Sequence, residues 1–104
     1  MNKPGIKFDN DKIRFDLIPF DVLQEVAKVF TFGANKYSVD NWKNVENYKD
    51  RYFAAVMRHL ASWRMNELKD KESKLYHLAH AATCIFFLLW FDMKNKNESN
   101  KTSI

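Results

Sequence analysis

One uninterrupted apolar run constrains this chain more than any other feature. From residue 81 to residue 91 it reads AATCIFFLLWF, without glycine, proline or charge. A membrane span needs roughly 18 apolar residues, so this shorter run reads as a buried helix. On a helix over about residues 74–93, Leu75, Leu78, Ala82, Ile85 and Leu89 share one side. His77, His80, Cys84, Phe87 and Phe91 share the opposite side. A helix apolar on both sides must be covered on both. A chain of 104 residues has too little else to do that alone. The expectation is a homo-oligomer with this helix near its centre.

Turn formers are scarce in the rest of the chain, with two glycines and two prolines in all. That scarcity points to an all-α fold of three main helices. Residues 1–17 lack helical periodicity and read as an extended arm. Pro19 opens the first helix, about residues 19–32, where a missing N–H costs nothing. Val22, Val26 and Val29 recur along it at helical spacing, and Gly33 is its expected stop. Asparagine, serine and aspartate crowd residues 32–46, which read as a loop carrying Tyr37 and Trp42. Asn47, with Asp50 three residues on, is the expected cap of the second helix, about residues 48–69. Its expected core stripe is Phe53, Val56, Met57 and Leu60. Arg64 and Glu67 continue that line, either emerging into solvent or flooring a polar site. Ser73 is the expected cap of the third helix. The domain covers residues 1–93, and the Asn/Lys-rich stretch 94–104 reads as a disordered tail.

The net charge of +4 is dispersed, without the dense basic stripe that neutralises a duplex backbone. It suits a single anionic small molecule better than nucleic acid. A lone cysteine, Cys84, and a polar N-terminus point to a reducing cytoplasm. Cys84 lies in the apolar run, where a thiol is inert. Two glycines cannot build a glycine-rich phosphate loop.

Chemistry-bearing residues cluster at helix ends. His77 and His80 stand at i and i+3, and His59 flanks the apolar stripe of the second helix beside Arg58. Glu67 and Asp70 form a Glu-x-x-Asp pair, and Asp21 and Glu25 stand at i and i+4. Carboxylates so spaced on facing helices can hold a hard divalent cation. Each acid taken alone reads as a solvated charge, and His77 and His80 on their own read as packed or hydrogen-bonded core histidines.

Taken together, several segments resemble the phage and prophage dATP/dGTP diphosphohydrolase-like family, a relative of the MazG-type all-helical nucleotide pyrophosphatases. They are KFDNDKIRFDLIP at 7–19, LQEVAKVFTFGANKY at 23–37 with Asn41 and Trp42, RHLASW at 58–63, Glu67 with Asp70, and HLAHAA at 77–82. The resemblance implies an oligomeric, MazG-like helical bundle that binds a purine nucleotide, in the cytoplasm of a bacterial host cell. It implies release of pyrophosphate from a (deoxy)nucleoside triphosphate with Mg²⁺ or Mn²⁺. Glu67 and Asp70 would be catalytic, with Glu25 joining them as metal ligands. Lys36, Tyr37, Asn41, Trp42, Arg58, His59, His77 and His80 would bind nucleotide. Lys36 and Arg58 would neutralise phosphate, and Trp42 or Tyr37 would stack on the base.

Two departures stand out. The family commonly carries glycine where this chain has Asn66 and Lys74, and proline where it has Lys71. MazG-type enzymes also pair a Glu-x-x-Glu with the Glu-x-x-Asp, and only the second half is visible here. Two readings follow: a nucleotide diphosphohydrolase, or a non-catalytic sponge that sequesters a nucleotide immune signal, such as a cyclic nucleotide or ADP-ribose derivative, for a phage.

Overall fold

The computed structural model describes residues 3–95. Among them the fold is all-α, with three helices: α1 (Phe20–Lys36), α2 (Tyr48–Arg64) and α3 (His77–Lys94). Short 3₁₀ turns occupy Phe15–Leu17 and Asn41–Asn44. No helix among the described residues is long and apolar enough to cross a membrane. Both α1 and α2 pack on α3, and they make little contact with each other.

Small side chains on α3 allow that arrangement. Ala79, Ala81 and Thr83 are buried where the other helices approach. Thr83 satisfies its hydroxyl by donating to the Ala79 carbonyl at 2.8 Å. Val26 and Val29 of α1 and Val56 of α2 complete the buried apolar core. A second, aromatic cluster closes the far end of α3. Trp42 stacks on Phe87 with centroids 4.5 Å apart and meets Trp90 and Phe91 edge-on. Tyr52 pins the same turn by donating its hydroxyl to the Trp42 carbonyl at 2.8 Å.

Helix limits differ from the sequence expectations for local reasons. α1 runs through Gly33 to Lys36, because Gly33 keeps ordinary helical backbone and the Tyr37 N–H closes onto its carbonyl. Asn47 does precede α2, but in a left-handed conformation and without a side-chain cap. α2 stops at Arg64 rather than near 69. Asn66 turns left-handed there, and its N–H and that of Glu67 bond back to Trp63 and Ser62. Those are the paired bonds of a Schellman ending. α3 starts at His77, not Lys74, and Ser73 does not cap it. The buried face of α2 is also rotated: Val56 is buried, with Tyr52 and His59 half-buried, whereas Phe53 and Met57 are 59% and 49% exposed.

One side of α3 matches the expectation of an uncovered face. Leu78, Ile85 and Leu89 stay 43%, 51% and 56% exposed. The arm before residue 15 is exposed along its whole described length. Of the expected tail, Lys94 ends α3 and Asn95 donates to the Tyr48 hydroxyl, while residues 96–104 lie outside the described residues.

Left-handed backbone at Lys74 (φ 64°) costs a side-chain-bearing residue on the order of 1 kcal/mol. Lys74→Gly is therefore expected to raise stability by about 0.5–1 kcal/mol. Gly33→Ala should do the same by removing a helix-interior glycine, since an added Cβ there meets nothing within 4 Å. Thermal denaturation of both variants checks this; a lowered Tm in either would show that the backbone is held there for another reason.

Candidate functional site

The loop between α2 and α3 assembles the polar residues. Its ends are drawn together by an antiparallel bridge between Lys69 and Tyr76 and by the His77 N–H donating to the Leu68 carbonyl. Asp70 organises the tip. Its carboxylate accepts the backbone N–H groups of Glu72 and Ser73 at 3.1 and 2.8 Å. Burial alone would raise the Asp70 carboxyl, but these bonds and nearby His80 hold it below the usual carboxylate range.

Three imidazoles meet beside this loop. His59 from α2 and His77 from α3 place their Nδ1 atoms 2.9 Å apart. His59 also stacks on His80, with centroids 4.6 Å apart and planes nearly parallel. Burial first, then the neighbouring His80 and His77, pushes His59 down to about 4. Burial lowers His80 as well. Both shifts favour the neutral rings, with His59 Nδ1 engaged by His77 and His80 Nε2 by Ser73. His77 is 4% exposed. Its Nε2 lies 3.3 Å from Glu67 Oε1 but out of line for a hydrogen bond, and it has no other partner.

His80 Nε2 lies 2.6 Å from Ser73 Oγ, which also accepts the Leu75 N–H. Serine beside histidine suggests a nucleophile with its base. The orienting acid of such a triad is missing, because Asp70 binds the Ser73 amide instead of backing His80. The contact positions the ring.

A cleft of about 970 Å³ opens over this cluster, between α1 with its following turn and α2. That volume accommodates a nucleotide-sized ligand. Lys36, Tyr37, Asn41, Trp42, Arg58, His59 and His80 all line it, as does Asp70. His77 lies behind its floor, in contact with His59. Glu67 stands beside His77. Glu25 is not brought to this group and pairs with Lys28 at 2.7 Å on α1. His59, His77 and Asp70 offer donor atoms within 4.8 Å of one another, a set able to hold a metal ion.

Some of these side chains are already engaged. Lys36 is clasped by both carboxylate oxygens of Glu72, at 3.1 and 2.9 Å. One face of the Trp42 ring is taken by Phe87. Tyr37 is 64% exposed at the cleft, and Arg58 has no carboxylate partner among the described residues. Sequence reading overlooked Glu72, the bond from Ser73 to His80, and Tyr52. Burial raises the Tyr52 hydroxyl to about 12 and the Cys84 thiol to about 11, so both stay protonated in the cleft wall.

His59 resists protonation in the folded chain, whereas the unfolded chain takes up that proton near pH 6.5. Stability of chelator-treated protein is therefore expected to be full above about pH 6.5 and to fall as the pH drops towards about 4. His80 acts in the same direction. Tm values at successive pH steps test this, and His59→Gln should flatten the profile. A Tm that is level across that window would contradict the buried, neutral imidazole pair.

Residues 2–101 match the family described as dATP/dGTP diphosphohydrolase, N-terminal. The chain is 37% identical over 86 residues to a dATP/dGTP diphosphohydrolase of Salmonella phage PMBT28. That match covers 83% of this chain and 29% of the relative, so the chain spans under a third of that protein's length. No solved structure matches the chain. The match over nearly the whole sequence, arm and helices included, settles the lineage: this chain belongs to the dATP/dGTP diphosphohydrolase N-terminal family.

Proposed function

We propose that the cleft binds a purine deoxynucleoside triphosphate and that the chain takes part in releasing pyrophosphate from it. The observation that carries this reading is the polarity of the cleft. Arg58, a cation with no carboxylate partner among the described residues, and an exposed aromatic, Tyr37, line its wall, while neutral imidazoles and an ionised carboxylate form its floor. Family membership and the name of the phage relative supply the substrate class.

Each residue then has a physical task. Arg58 donates to phosphate oxygens through charge-assisted bonds. Lys36 adds charge once phosphate competes with Glu72 for its ammonium. Tyr37 offers its ring to the base, and Asn41 offers an amide beside it. Trp42 serves by holding the turn against α3. Asp70 would accept a hydrogen bond from water facing the α-phosphorus, and His80, which is not among the ion's ligands, would take up the proton. Water would add to that phosphorus as the α–β bridging bond breaks, giving a nucleoside monophosphate and pyrophosphate. Asp70, with His59 and His77, would hold a divalent ion, which would supply charge to stabilise the leaving phosphates.

Incubation with dATP or dGTP and a divalent ion, followed by chromatography, tests the reaction. The monophosphate with pyrophosphate is the expected product. Intact nucleotide released only on heating would assign binding without cleavage. Arg58→Ala is expected to weaken nucleotide binding by roughly ten- to a hundredfold, the worth of a charged hydrogen bond, with helix content unchanged. Unaltered affinity in that variant would place the phosphate elsewhere.

We further propose that the chain associates with copies of itself through the uncovered side of α3. Leu78, Ile85 and Leu89 form a contiguous apolar strip there, and such strips mark interaction surfaces. Light scattering is expected to give a dimer or larger species, which Ile85→Glu with Leu89→Glu reduces to a monomer. A monomeric parent chain would rule this out.

A further inference from the structure

We infer that His59, His77 and Asp70 bind a first-row transition-metal ion, with Glu67 orienting His77 from behind, and that this site discriminates against Mg²⁺. The inference rests on the ion site of the proposed reaction and specifies which ion that site takes; ion binding by itself is what tests it.

Three separate elements deliver the donors: α2 carries His59, the loop carries Asp70, and α3 begins with His77. Their donor atoms already lie within 4.8 Å of one another. The Nδ1 atoms of His59 and His77 are 2.9 Å apart. Two nitrogens each bonded at about 2.1 Å stand about 3.0 Å apart at right angles on an ion and about 3.4 Å apart on a tetrahedral one. The imidazole pair is within about half an ångström of either spacing, and an ion to one side of the line between the nitrogens would replace their hydrogen bond.

The buried nitrogen on the other side of His77 supplies the second observation. Nε2 has no hydrogen bond, yet a carboxylate oxygen of Glu67 stands 3.3 Å away. A metal-bound imidazole commonly donates its remote N–H to a carboxylate, which fixes the ring's tautomer and orientation. Binding at Nδ1 leaves the proton on Nε2 and makes it a stronger donor, so Glu67 closes the remaining gap. An otherwise unexplained buried polar atom acquires a partner and a purpose. His80 is not a ligand here, because its Nε2 is committed to Ser73.

Donor chemistry selects the ion. Mg²⁺ takes oxygen ligands and keeps most of its water. Two imidazoles and one carboxylate suit later first-row ions, and this set leaves coordination positions open. His59 and Asp70 line the cleft, so those positions face it.

The test uses the 104-residue chain after chelator treatment. Co²⁺ is titrated and followed by visible absorption, and Zn²⁺ and Mg²⁺ by calorimetry. About one Co²⁺ or Zn²⁺ per chain is expected, bound at least roughly a hundredfold more tightly than Mg²⁺. His59→Gln should remove the visible Co²⁺ bands. Glu67→Gln should keep the fold by circular dichroism and weaken Zn²⁺ roughly ten- to a hundredfold, as loss of an orienting carboxylate does. Zn²⁺ binding no tighter than Mg²⁺, or Co²⁺ bands that survive His59→Gln, would overturn the assignment. Titration of dATP into the chelated protein keeps the two proposals separate, because nucleotide binding there survives failure of the metal site.

Discussion

A single carboxylate holds the junction on which the rest of the molecule depends. Asp70 gathers two backbone amides with its side chain, while its own peptide groups bond Lys74 and Leu75. A half-buried carboxylate is stable only where donors replace its lost water. Here the donors are local, so satisfying Asp70 and folding the loop are one event. The folded loop sets where α3 begins, and hence where His77 and His80 meet His59. Left-handed backbone at Asn66 and Lys74 is the strain this tight path requires.

Much of the helical architecture is legible in the sequence, because periodicity is a local property. The apolar run 81–91, the valine spacing of α1 and the scarcity of breakers all lead to three helices. Helix ends are less legible. Gly33 has the composition of a stop but lies inside α1, and Asn66 ends α2 without the glycine usual there. The site follows the same division. His59, His77 and His80 stand out by residue type, as do Glu67 and Asp70. Nothing local reveals that Lys36 meets Glu72, 36 residues away, because that pair exists only once the loop has closed. Nor does a helical projection of α2 place Glu67, which lies beyond the helix on a chain already turning back towards His77.

The aromatic residues divide between two tasks. Trp42 sits against Phe87, Trp90 and Phe91, and Tyr52 bonds its carbonyl, so the turn following α1 is fastened to both other helices. Stacked and edge-on ring pairs each add about 0.5–1.5 kcal/mol beyond area burial. Where the buried apolar core among the described residues is three valines and two alanines, that contribution is a large share of tertiary stability. Tyr37, a few residues earlier, keeps its ring at the cleft.

α1 and α2 lean on α3 and scarcely touch each other, so the bundle lacks a wall where the cleft opens. Any guest lodged there becomes structural material, supplying the contacts that a fourth helix would otherwise provide. Occupancy and rigidity are then two readings of one equilibrium: filling the gap draws the outer helices into register, and loosening them releases the guest.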